Sequence, residues 1–282
     1  MTIGVFDSGV GGLSVHRELV ARFPGEDLIY LADQAHAPYG GRGGEEIVDL
    51  TRAGCERLFQ EGAGLVVLAC NTASAIALRR LQQTWLPEYR KSQGRPLNVL
   101  GIIVPTIEAA TGMPWQAEPE LAPARLKSVE VLGVFCTAAT ALSRVYEIEI
   151  AKRRPDLAVF SEACPGLAGL IEMGAPRAEL EVVVRDHVEA LRRRVGRHPD
   201  KAILGCTHYE IVADLFTAAL PEGTPLIHQP TSVADALERY FERHPEYLTG
   251  GGARRFLTTG QAGVQSDLAA QFWGEPLQFE AA

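Results

Sequence analysis

Short, almost uniformly apolar runs alternate along the chain with longer stretches in which apolar residues recur every three or four positions. "IGVFD" (3–7), "DLIYLAD" (27–33), "LVVLAC" (65–70) and "NVLGII" (98–103) are rich in branched and aromatic residues. Such runs predict parallel strands buried on both faces. Between the second and third, "EEIVDLTRAGCERLF" spaces Ile47, Leu50, Gly54 and Leu58 by three and four, which predicts a helix with one buried face. After Thr111 the pattern breaks: "GMPWQAEPELAPARLKS" has no period and predicts an irregular surface segment. The alternation then restarts, with strands predicted at "VEVLGVF" (129–135), "LAVF" (157–160), "KAILGC" (201–206) and "PLIH" (225–228), and a helix over 178–195.

The restart is an internal repeat. "IGVFDSGVGGLS" at 3–14 aligns without a gap on "LGVFCTAATALS" at 132–143, an offset of 129. "LVVLACNTAS" (65–74) and "KAILGCTHYE" (201–210) set Cys70 and Cys206 136 residues apart, close to the same offset. The fold expected is α/β: two similar pseudo-symmetric domains, each a mostly parallel sheet flanked by helices. Open α/β sheets bind ligands at the carboxyl ends of their strands, so the site is expected in the cleft between the two units.

Composition changes this picture little. With 282 residues and 46% hydrophobic content, there is material for two cores. A net charge of -8, without a basic run longer than Arg192–Arg194, gives no footprint for nucleic acid and favours a small-molecule partner. The chain runs from Met1 directly into the first strand, and no apolar run is long enough for a membrane span; a cytoplasmic protein without membrane contact is expected.

The five cysteines, at 55, 70, 136, 164 and 206, form no CxxC pair, so a disulfide framework or structural zinc site is not expected. A cysteine ending an apolar strand is usually packing. A repeated pair, each followed by polar residues and a predicted helix start, points instead to chemistry. Helix N-termini stabilise anions and would lower a thiol pKa from its reference of about 8.5. Asn71 and Thr72 follow one cysteine, Thr207 and His208 the other; these can cap the helices or bind a carboxylate. Two thiols facing each other, with Asp7 near one and His208 near the other, suit removal of a proton from one face of a carbon and its return to the opposite face.

Other chemistries fit less well. "DSGVGGLS" lacks the glycine pattern of a dinucleotide fingerprint and the GK[ST] of a P-loop, and Asp7 would repel a phosphate. None of the four lysines (91, 127, 152, 201) follows a strand where pyridoxal phosphate would form its Schiff base, so no cofactor is expected. Metal binding by Cys70, Cys206, His208 and Asp7 stays open as an alternative, as does a protein that keeps the scaffold for binding alone. The Pro/Gly turn "APYGG" (37–41), after the second strand, would bring Tyr39 to the same rim.

"FDSGVGGLS", "PYG", "ACNTAS", "EACPGLAGLIEMG" and "LGCTHY", in this order, together with "FLTTG" near the end, resemble the glutamate racemase family over essentially the whole chain. The resemblance implies cofactor-independent interconversion of L- and D-glutamate, supplying D-glutamate for peptidoglycan. It implies Cys70 as the base toward D-glutamate and Cys206 toward L-glutamate, assisted by Asp7, His208 and Glu172. Substrate would be held by Asp7, Ser8, Tyr39, Gly40, Asn71, Thr72, Thr207 and His208. It further implies a homodimer, and domains of 1–101 with about 233–248, and 102–232 with about 249–282. A competing small-acid substrate within the same fold is aspartate. Gln34, Glu210, Cys136 and Ala139 depart from the usual family residues. Glu210 would place a charge near His208 and either raise its pKa or alter partner contacts; Cys136, at the repeat position of Asp7, reads as packing, as do Cys55 and Cys164; and the segment 113–127 reads as an enlarged surface.

Overall fold

β1 (Thr2–Asp7), β2 (Leu28–Ala32), β3 (Ala63–Leu68) and β4 (Asn98–Gly101) form where the first four apolar runs stand, and β5 (Glu130–Cys136), β6 (Leu157–Ala163), β7 (Lys201–Gly205) and β8 (Leu226–Ile227) where the second four do. This computed structural model describes residues 1–114, 129–248 and 250–282. The expected enlarged surface at 113–127 therefore lies, apart from Met113 and Pro114, outside the described residues. Every residue of β2 and β3 is buried, which requires helices on both faces and explains why these strands do not alternate.

All strand pairs are parallel. The first sheet contains the order β2-β1-β3-β4 and the second the order β6-β5-β7-β8, the same arrangement twice. The internal repeat of the sequence is thus a repeat of topology, and the α/β architecture of two similar units is as expected. Asp7 pairs with Ala32 at the end of β1, and Cys136 pairs with Gly205 at the end of β5. Each register sets a cysteine just beyond the neighbouring strand, Cys70 after β3 and Cys206 after β7.

The C-terminal segment differs from the expected division. β9 (Arg254–Thr258), which overlaps the "FLTTG" motif, pairs along the whole of β2, and β10 (Glu280–Ala281) pairs with β9. β9 and β10 thus extend the first sheet, where the sequence reading had placed about 249–282 with the second unit. The free edge of β2 is what they cover, and an uncovered edge is a standing template for unwanted pairing. Helix Ala262–Trp273 packs against helix Leu13–Arg22, with the ring of Trp273 5.7 Å from that of His16. Helix Gln229–Arg243 packs on the same first helix, through Phe23 against Phe241 and Arg22 against Asp235.

One apolar core runs from Ile3, Val5 and Leu28 of the first sheet to Leu204, Val184 and Leu180 of the second unit. Each such side chain, fully buried, contributes about 1.5–3 kcal/mol, so the two units share stabilisation and do not stand as separate globules. No helix among the described residues is long and apolar enough to cross a membrane.

Candidate active site

The two cysteines end equivalent strands but open different turns. Cys70 caps the helix Asn71–Ile76 with extended backbone, its Sγ accepting from the Ala73 amide at 3.4 Å. Cys206 opens a 3-10 turn, Thr207–Val212, and its side chain makes no cap hydrogen bond. Both are 5% exposed, and negative charge on Cys206 is the smallest of the causes that raise the Cys70 pKa.

Asp7, 1% exposed at the tip of β1, accepts through Oδ2 from the amides of Gly12 at 2.9 Å and Gly9 at 3.3 Å. Its other oxygen is buried without a partner among the described residues. Burial raises the Asp7 pKa against the opposing charge of His208 and the two amides. Ser8 Oγ lies 3.5 Å from Cys70 Sγ. The glycines that follow are explained by close approach: a Cβ on Gly11 would overlap the His208 ring and Thr207 Oγ1, and one on Gly12 would come within 2.7 Å of Asp7 Cβ. The bare backbone of this loop lets the first unit rest directly on the Cys206 turn.

Around Cys206 the polar groups form a chain. His208 Nδ1 lies 3.9 Å from Cys206 Sγ, and His208 Nε2 lies 3.2 Å from Glu172 Oε2. Gln34 Nε2 donates to Glu172 Oε1 at 2.6 Å, and Gln265 Nε2 donates to Gln34 Oε1 at 3.2 Å. Burial alone would lower the His208 pKa; hydrogen bonds to Cys206 and Glu172 and the negative charge of Cys206 and Asp7 outweigh it and push it up to about 10. Glu172 shows the reverse balance: burial would raise it, but the hydrogen bond and charge of His208, with Gln34, hold it below the usual carboxylate value.

The Cys70 side contradicts the sequence expectation of a lowered thiol pKa. Burial first, then the Asp7 carboxylate, push Cys70 up to about 12, against the hydrogen bonds from Ser8 and the Ala73 amide. Desolvation of a charge outweighs the helix-end amides when the site is closed.

The remaining predicted residues line this space unequally. Thr72 Oγ1 lies 3.0 Å from Thr137 Oγ1, and Thr207 is buried beside Gly11. Gly40 sits so close to Thr137 that a Cβ would approach the threonine Cβ to 3.0 Å. The Tyr39 ring is buried near Phe6, and its hydroxyl donates to Asp33 Oδ2 at 2.6 Å. The Asn71 amide is likewise engaged: Nδ2 donates to Gln229 Oε1 at 2.7 Å, and Oδ1 accepts from Gln229 Nε2 and Tyr146 Oη, both at 3.0 Å. Glu210 makes its hydrogen bonds away from His208: it accepts from the Gln229 backbone N–H and pairs with His228, each at 2.9 Å. Cys136, Cys55 and Cys164 are buried, and burial raises each thiol. Among the described residues, no group of three or more His, Cys, Asp or Glu is gathered to hold a metal ion.

Sequence reasoning missed Thr137, which stands 129 positions after Ser8, so the repeat carried its signal. It also missed Gln265 and Gln229, whose partners are far away in the chain.

No protein-family model matches the chain. It is 71% identical to a glutamate racemase of Caulobacter sp. (strain K31), over 100% of both chains. With a glutamate racemase of Phenylobacterium zucineum (strain HLK1) it shares 68% identity, again over 100% of both. Among solved structures, a glutamate racemase isoform of Bacillus anthracis superposes with a TM-score of 0.81 at 29% identity, covering 100% of this chain and 97% of that one.

Proposed function

The chain belongs to the glutamate racemase family and is an amino-acid racemase, and from that premise we propose that it inverts the α-carbon of glutamate with Cys70 and Cys206 as opposed acid and base. The observation that carries the reading is the placement of two nearly buried thiols at equivalent strand ends, one beside Asp7 and Ser8, the other beside His208.

From L-glutamate, Cys206 as thiolate removes the α-proton, the electron pair passes toward the α-carboxylate, and the Cys70 thiol delivers its proton to the opposite face. From D-glutamate the roles exchange. The asymmetry of the surroundings supports this assignment. Cys70 is held as a thiol ready to donate, and protonated His208 provides a counter-charge at Cys206. Asp7, buried and with its pKa raised by desolvation, lies on the Cys70 side, where it would exchange a proton. The substrate carboxylates would rest against Ser8, Thr72, Thr207 and the backbone amides of Asn71 and Thr72, with Tyr39 and Gly40 closing the rim. No step calls on a cofactor.

D-glutamate for peptidoglycan, a cytoplasmic location and a homodimer belong to the same reading. They are supported by the family and, for the location, by five unpaired cysteines. The test is chiral chromatography of either glutamate enantiomer incubated with chelator-dialysed protein. Both reactions are expected to end at an equal mixture. Conversion of aspartate but not glutamate would move the reading to that acid, and conversion of neither would refute it.

A further inference from the structure

Gln34 is half-buried, sits after β2, and is held at both ends of its amide. Its oxygen accepts from Gln265, a side chain 1% exposed on helix Ala262–Trp273. That leaves the amide nitrogen, a donor, facing Glu172 Oε1 at 2.6 Å. A carboxylate only accepts, so Glu172 fixes this orientation of the Gln34 amide, and Gln265 engages its oxygen end. The other Glu172 oxygen faces His208 Nε2, and His208 Nδ1 faces Cys206. We propose that Gln34, supported at its oxygen end by Gln265, is a positioning residue for the Cys206 half of the reaction, aiming Glu172 so that the imidazole is turned toward the thiol. This rests on the two-cysteine reading.

The chain explains what the C-terminal segment does for chemistry. β9 docks on β2, and the helix that follows brings Gln265 to Gln34. A segment far from either cysteine in sequence thereby sets the geometry of Glu172 on the second unit. The charged and titratable groups facing His208 are Cys206 on its own turn, Glu172 on helix Leu167–Glu172 and Asp7 at the tip of β1. The C-terminal helix contributes uncharged groups, Gln265 toward Gln34 and the Phe272 ring 5.3 Å from the imidazole.

The test compares Gln34→Met, Gln34→Glu, Gln265→Met and the double methionine variant with wild type. Losing a hydrogen bond to a charged group should lower kcat/KM about tenfold or more in Gln34→Met, and the high-pH limb of its rate profile should move to lower pH. Gln34→Glu donates only when protonated, so its activity should fall more steeply with rising pH than that of Gln34→Met. The double variant should be no worse than Gln34→Met, because both residues act through one chain of contacts. With α-deuterated substrates, the isotope effect on kcat/KM should rise from L-glutamate, as the Cys206 step becomes more limiting, and fall from D-glutamate. An unshifted pH profile, additive losses, or equal isotope changes in both directions would overturn the proposal. Cys206→Ala is the control. If it is inactive while Gln34→Met behaves as wild type, this inference alone fails; if it still racemises glutamate, the two-cysteine reading and this inference fail together.

Discussion

Cys70 and Cys206 occupy matching positions in a repeated scaffold, yet one sulfur is surrounded by an amide, a serine and an aspartate, the other by an imidazole paired to a glutamate. Cys70→Ala and Cys206→Ala should each lower racemisation by about 10²–10⁴-fold, the usual worth of a positioned acid or base. Enantiomers have equal free energy, so kcat/KM must fall by one factor in both directions; the signature of each cysteine lies in how kcat and KM divide that loss, measured from each enantiomer. His208 yields a pH prediction. Its folded pKa of about 10 exceeds the unfolded value of 6.5. The stabilisation from its partners is therefore complete below 6.5 and lost as pH rises through about 10. The stability gap between wild type and His208→Asn, from denaturant titrations, should close over that window; a gap unchanged through pH 10 would show His208 neutral. The positions of both cysteines, Asp7 and His208 were legible because each follows an apolar run. The direction of the Cys70 pKa was not, since burial depth is a property of the closed cleft and not of the helix start that sequence reveals.

At the scale of elements, the loop 8–12 and the C-terminal segment join the two units. Gly11→Ala would drive a methyl into His208 and Thr207, and overpacking of this kind costs about 1–3 kcal/mol. Thermal unfolding should show the loss, and turnover should fall further than stability alone explains. His16 reports on the other joint. Its ring is fully buried within 5.4–5.7 Å of the rings of Tyr30, Phe256 and Trp273, both nitrogens lack a partner among the described residues, and burial, with the charge of Arg254, lowers its pKa to about 3. The unfolded chain takes up this proton below 6.5 and the folded chain does not until about 3, so stability is lost as pH falls through that range. His16→Phe should hold its melting temperature better than wild type between pH 6 and 4; equal acid sensitivity would contradict this. The strands β1 to β8 were readable because burial on both faces leaves unbroken apolar runs. β9 was not readable as part of the first sheet, since "RRFLT" carries two arginines and its partner β2 lies near the opposite end of the chain.

The whole molecule is a duplicated sheet made unequal. The repeat sets two thiols at two strand ends, and the shared core and the C-terminal strands hold those ends together. The duplication was visible in sequence at constant offset; the contacts that break its symmetry, Gln34 to Glu172 and Asn71 to Gln229, join residues that no local pattern relates. The central claim is that two groups on opposite faces, and not one group swinging between them, carry the proton. The direct measurement is incubation of protiated L-glutamate, and separately D-glutamate, in D₂O, with deuterium at the α-carbon of substrate and product followed by NMR after chiral separation during the first turnovers. Two opposed thiols predict product that carries solvent deuterium while the recovered substrate keeps its protium, from either enantiomer. Substrate that gains deuterium as fast as product forms would mean one base serves both faces, and would contradict the account.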